Sequence, residues 1–151
     1  MCSSDLLDTT AWARRAAIAH VIYSPEVRHP VEVGADQEAH LVAWLSKKLG
    51  TPLKVPYLGN QGFQLVGGRL LPGERGPVAQ YMYQDGRGQR LTLYVRVNPD
   101  ESRETAFRFA QERGVGVFYW LDGKLGYALS GEVGKEDLLR IATAVYRQLN
   151  P

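Results

Sequence analysis

The thirteen residues RHPVEVGADQEAH, Arg28 to His40, hold two histidines, two glutamates and an aspartate. Imidazoles and carboxylates crowded into so short a span are the raw material of a zinc site or of a general acid/base centre. The spacing argues against both. A helical zinc pair sets two histidines one turn apart, as in HExxH, and no such pair occurs in a chain that has only three histidines. His29 precedes Pro30 in an extended segment, whereas His40 falls within a helix that Asp36 is placed to cap. His29, Glu32 and His40 are therefore expected to bind no metal. His40, on the border of that helix's apolar stripe, is expected to lie half-buried beside a carboxylate. A nucleophile elbow is equally lacking: no GxSxG occurs, and Ser130 in ALSGE belongs to a strand. Gly67-Gly68 has neither GxxxxGK[ST] nor GxGxxG around it, so it reads as a bulge or a close backbone approach and not as a phosphate cradle. No catalytic residue and no cofactor is assigned, and the chain is not expected to be an enzyme.

Aromatic rings are the stronger signal. Phe118, Tyr119, Trp120 and Tyr127 crowd one hairpin, and Tyr81, Tyr83 and Tyr94 lie in the strands before it. Alternation along a strand sends neighbours to opposite faces, so a hairpin this aromatic has both faces covered or presents rings to solvent on one side. Packing alone accounts for one set, since burying each ring contributes roughly 1.5–3 kcal/mol. The residues proposed as a contact surface for a protein or ligand are Phe118, Trp120, Tyr127, Tyr81 and Tyr83.

The elements that position these rings can be read from periodicity. TAWARRAAIAHVIY is helical, with Thr9 or Thr10 as its cap and a weak apolar face of Trp12, Ala16, Ala19 and Tyr23. A second helix runs from Asp36 to Leu49, with Leu41, Trp44, Leu45 and Leu49 on one stripe and Gly50 as its stop. The period then falls from 3.6 to 2. FQLVGGRLL, PVAQYMYQ and QRLTLYVRV form a meander joined by PGERG and DGRG, and in the third strand Leu91, Leu93, Val95 and Val97 alternate with Arg90, Thr92, Tyr94 and Arg96. RETAFRFAQERG mixes both periods and is assigned as a strand. VGVFYWLDGKLGYALSGE is a hairpin turning at Asp122-Gly123, and Lys135 to Leu149 is an amphipathic helix with Leu138, Ile141, Ala142, Val145 and Leu149 on one face. The fold class is α+β: an antiparallel sheet of about six strands with helices packed on one face and an N-terminal stalk helix.

Composition bounds the partners. Eighteen Lys and Arg against sixteen Asp and Glu give a net charge of +2, with no basic cluster, so nucleic acid is not an expected partner. One cysteine excludes an intrachain disulfide. The uncharged stretch from Ala16 to Pro25 is far short of the ~20 residues that span a bilayer. Cys2-Ser3-Ser4-Asp5-Leu6 matches the in-frame translation of a sequencing adapter, so residues 1–6 are expected not to be native.

Five blocks in order, AHVIYSPEVRHPVEVGADQEAHLVAWLSKKLG, GFQLVGGRLLP, AQYMYQDGRGQRLTLYV, ETAFRF and FYWLDGKLGYALSGE, resemble the extracytoplasmic region of bacterial transmembrane anti-sigma factors, in particular the proteobacterial transmembrane transcriptional regulators encoded beside extracytoplasmic-function sigma factors. The resemblance covers Ala11 to Leu149. It implies a sigma-binding cytosolic segment and a membrane-spanning helix that this sequence lacks, residues 7–26 as a membrane-proximal helix, and residues 27–151 as a periplasmic sensory or regulatory domain. The implied partners are a sigma factor, through the missing segment, the membrane, through the missing helix, and an unidentified periplasmic protein or ligand. The implied location of the full-length protein is the inner membrane, with this segment periplasmic. A second reading from another class is a free-standing periplasmic module that binds a hydrophobic ligand between sheet and helices.

Overall fold

A computed structural model describes residues 3–24, 31–73, 76–98 and 106–150, with side chains from residue 11 onward. Three helices, α1 (Ser3–Tyr23), α2 (Glu38–Leu49) and α3 (Lys135–Leu149), surround seven strands: β1 (Val33–Gly34), β2 (Gln64–Gly73), β3 (Gly76–Gln84), β4 (Arg90–Val97), β5 (Arg108–Glu112), β6 (Val115–Asp122) and β7 (Leu125–Gly131). The strands make one sheet in the order β1-β2-β3-β4-β7-β6-β5, antiparallel throughout. The chain runs out along β2, β3 and β4, crosses to the far edge at β5, and returns through the β6–β7 hairpin to pair β7 with β4. The α+β class and the meander are as expected. The two-residue strand β1 is an addition, too short for any periodicity to show.

Both faces of this sheet are covered. On one, α2 packs over β1, β2 and β3 and α3 over β6 and β7. Leu41, Leu45, Leu138, Ile141, Ala142 and Val145 point down from the helices onto Tyr81, Tyr83, Leu91, Leu93, Trp120 and Leu129. The other face is covered by α1, which lies across β4, β5, β6 and β7. Trp12, Ala13, Ala16, Ala17 and Ala19 of the helix meet Tyr94, Val117, Tyr119, Leu121 and Ala128 of the sheet. The apolar face that looked weak in the sequence is thus fully used: alanine methyls let helix and sheet approach closely, and Trp12 supplies the bulk, stacked on Tyr94 at 6.5 Å and edge-on to Tyr119 at 5.7 Å. Among the described residues no helix is long and apolar enough to cross a membrane.

Local signals hold with shifted boundaries. α1 begins at Ser3, which places Thr9 and Thr10 inside it and not at its cap. Asp36 sits in a 3₁₀ turn over Ala35–Gln37 ahead of α2, while Gly50, with φ 77°, ends that helix as expected. The hairpin after Asp122 turns on Gly123, with φ 62°, and Lys124; Asp122 itself is paired with Leu125.

The glycine pair marks both a bulge and a close approach. Register slips between Leu65 and Gly67, leaving Val66 as the extra residue, and Gly67 and Gly68 pair with Gly34 and Val33. Gly67 adopts φ 150°, and a Cβ there would stand 2.1 Å from the Val33 carbonyl oxygen. Gly67→Ala is expected to destabilise the chain by about 2 kcal/mol in urea unfolding, through backbone strain and displacement of β1. Gly86→Ala, at a turn position with nothing within 4 Å of the added methyl, is the control and is expected to change stability by no more than about 0.5 kcal/mol.

Candidate functional site

The structure brings all five rings of the expected contact surface together, but on the inside. Phe118, Trp120, Tyr127, Tyr81 and Tyr83 occupy the face beneath α2 and α3, and none is more than 7% exposed. Register explains this. Tyr81 is opposite Leu93, which is opposite Leu129, which is opposite Phe118, so these residues form one row on one face. Val95, Tyr127 and Trp120 form the next row. Trp120 stacks on Tyr127 at 5.4 Å, Phe107 leans on Trp120 at 4.8 Å, and Phe109 meets Phe118 at 4.9 Å. Of the two arrangements open to an aromatic hairpin, the covered one is realised, and these rings do not face a partner from solvent.

Hydroxyl groups in this core are unevenly satisfied. The Tyr83 hydroxyl donates to the Pro56 carbonyl at 2.7 Å, pinning the loop between α2 and β2. The Tyr81 hydroxyl and the Trp120 indole N–H are buried without a partner. Burial raises the Tyr81 and Tyr83 hydroxyls well above the usual phenol range and pushes Tyr127 up to about 12, so none ionises near neutral pH. Beside Tyr83, a cleft of about 210 Å³ is lined by Glu38, Val55, Pro56, Leu58, Phe63 and Leu65, among others. It is smaller than the ~300–1,000 Å³ typical of ligand pockets.

The charged stretch that opened the sequence disperses. Glu32 accepts from the Leu70 amide at 2.7 Å, a contact that fastens the start of β1 to β2. His40 is exposed on α2 and not half-buried, because the helix turns it away from the Leu41 and Leu45 stripe. His29 lies outside the described residues. Among the described residues no three His, Cys, Asp or Glu side chains group as a metal site.

Sequence reasoning missed a polar layer on the opposite face. His20 of α1 is 1% exposed, and its Nδ1 lies 2.9 Å from Oγ1 of the fully buried Thr92 on β4. Ser130 is directly across from Thr92 on β7, and its hydroxyl has no partner; Gln80 on β3, buried on the same face, leaves its amide nitrogen unpartnered. Burial lowers the His20 pKa to about 4, keeping the imidazole neutral at physiological pH. Three arginines frame the helix. Arg96 lies 5.2 Å from the Trp12 ring, Arg69 sits 4.0 Å over Tyr23, and Arg90 donates to the Ser24 carbonyl at 2.5 Å. The available signal was the spacing of His20 from Trp12 and Ala16, which puts all three on one helical stripe. Exposed large apolar groups among the described residues lie elsewhere, at Val21, Ile22, Tyr57, Val97, Leu139 and Tyr146.

No family model matches the chain, and no curated protein matches it. Among solved structures, it is similar to a chain in the complex structure of Pseudomonas aeruginosa MucA/MucB, at 23% identity and a TM-score of 0.41. The match covers 54% of this chain and 30% of that one, so the chain spans less than a third of its neighbour's length.

The uneven satisfaction of the core hydroxyls predicts opposite signs for one change at two neighbouring positions. Tyr83→Phe is expected to lose about 1 kcal/mol in urea unfolding, because it removes a made hydrogen bond and leaves the Pro56 carbonyl short of a donor. Tyr81→Phe, which removes an unpartnered hydroxyl, is expected to be neutral or to gain about 1 kcal/mol.

Proposed function

We propose that this chain is the extracytoplasmic regulatory domain of a membrane-anchored anti-sigma factor, a binding module and not an enzyme. The observation that carries this reading is the five ordered sequence blocks spread from the first helix to the β6–β7 hairpin. Order over that length is more specific than any one block, each of which is by itself a serviceable core element. The side chains support a binding role in a simpler way. Their titratable groups are dispersed, and the buried tyrosines and His20 are held in neutral forms by packing.

In this reading the sigma factor is held by a cytosolic segment outside the sequence, and the domain works in the periplasm. A signal acts only by binding one state of the domain more tightly than another. Because the aromatic rings face inward, the contact surface shifts from the hairpin to the exposed groups around α3, where Tyr146 is exposed on the helix and Tyr57, also exposed, pairs through its backbone with Gln148 and ties the loop between α2 and β2 to that helix.

The test is made with the parent gene in its own genomic setting. An in-frame membrane-spanning helix upstream and an adjacent sigma-factor gene are expected. Deleting residues 31–150 from the anchored protein is expected to leave the sigma factor bound but to abolish the response of a sigma-dependent reporter to envelope stress. An unchanged response in the deletion strain would overturn the proposal.

A further inference from the structure

The helix α1 is attached differently from the other two. α2 and α3 drive leucine, isoleucine and valine into the aromatic core, whereas α1 is held chiefly by single methyl groups, one tryptophan and a polar contact. At the centre of that contact is His20, hydrogen-bonded through Nδ1 to Thr92 and sealed from water. Below the helix on the same face, Ser130 Oγ and Gln80 Nε2 are buried with no partner, so lifting the helix would return two polar groups to water.

Charge on this face is one-sided. On α1 itself the titratable side chains from residue 11 onward are Arg14, Arg15, His20 and Tyr23. Facing it, β2 contributes Arg69, β4 contributes Arg90, Tyr94 and Arg96, β5 contributes Arg108 and Glu112, and β6 contributes Tyr119. The corresponding positions of β3 and β7 contribute none. Among the described side chains at these positions, six arginines thus share the face with one carboxylate, Glu112, and that carboxylate is paired with Arg14 at 3.3 Å, six residues before His20. An imidazolium at position 20 would be buried among cations, with no carboxylate placed to receive it among the described residues.

We propose that α1 is a releasable cover whose hold on the sheet is governed by His20: the neutral imidazole docks the helix against Thr92, and protonation releases it while the rest of the fold persists. The inference stands independently of the regulatory reading above. The sign follows from linkage. The docked state resists protonation, so the helix is held fully above the ordinary histidine pKa of 6.5 and loses its hold as pH falls from there toward about 4. Each pH unit in that window weakens docking by up to about tenfold, or roughly 100-fold between pH 7 and pH 4.

Amide hydrogen exchange on the whole chain between pH 7 and pH 4, corrected for intrinsic rates, reads this directly. Protection at Ala16, Ala17 and Ala19 is expected to fall by about 100-fold, while protection at Leu93 and Leu129 in β4 and β7 falls much less. In His20→Gln the helix amides are expected to lose their pH dependence, and in Glu112→Gln, which removes the carboxylate paired with Arg14, they are expected to keep it. Three results would overturn the proposal: helix and strand protection falling together, helix protection unchanged to pH 4, or a His20→Gln response as large as that of the unmodified chain. Should His20→Gln not fold, the NMR titration of His20 in the unmodified chain decides: an imidazole still neutral at pH 5.5 supports the proposal, and one titrating near 6.5 overturns it.

Discussion

A sheet whose central strands are buried on both faces needs two covers, and the rest of this structure follows from that need. β4, β7 and β6 each have a neighbour on both sides in the strand order and are buried almost end to end, so apolar side chains leave the sheet in both directions. Water must be kept from both sides. One cover is built from α2, α3 and the loop that Tyr83 pins at Pro56. The other is α1.

The two covers differ in kind. Beneath α2 and α3 the contacts are large and interlocked, with Trp120, Tyr81 and Tyr83 fully buried among leucines. Across the sheet, alanines do most of the covering and histidine, threonine, serine and glutamine lie in the same layer. Alanine brings less apolar area to the contact than leucine, and each buried polar atom left unmatched works against it. One side of the domain therefore resembles a core, and the other resembles an interface between separable parts.

Much of the fold was legible because the relevant signals are local. Leu41, Leu45 and Leu49 declared α2, the Leu91 to Val97 alternation declared β4, and glycines marked the bulge at β2 and the turn after Asp122. What escaped depends on which surfaces meet. Thr92 and Tyr94 fall on the polar side of the β4 alternation and would face solvent in a one-covered sheet, but α1 buries both. The stripe of Trp12, Ala16 and Ala19 appeared too slight to pack, because alanine's low hydrophobicity conceals how closely it lets a helix approach. For the same reason the five aromatic residues could be grouped by sequence yet not oriented: alternation separates faces without saying which of them is covered. His20 stayed hidden because its spacing from Trp12 and Ala16 shows which stripe it shares but not what faces it, and its role appears only when Thr92 is placed opposite.

The claim that α1 is an integral second cover is tested most directly by urea unfolding of residues 31–151 beside the full 151-residue chain at pH 7, with binding of an apolar dye followed in parallel. The shorter chain is predicted to unfold at a lower urea concentration and to bind dye at its uncovered face, where Tyr94, Val117, Tyr119 and Leu121 meet water. Superimposable unfolding curves with no dye bound to either chain would contradict the account.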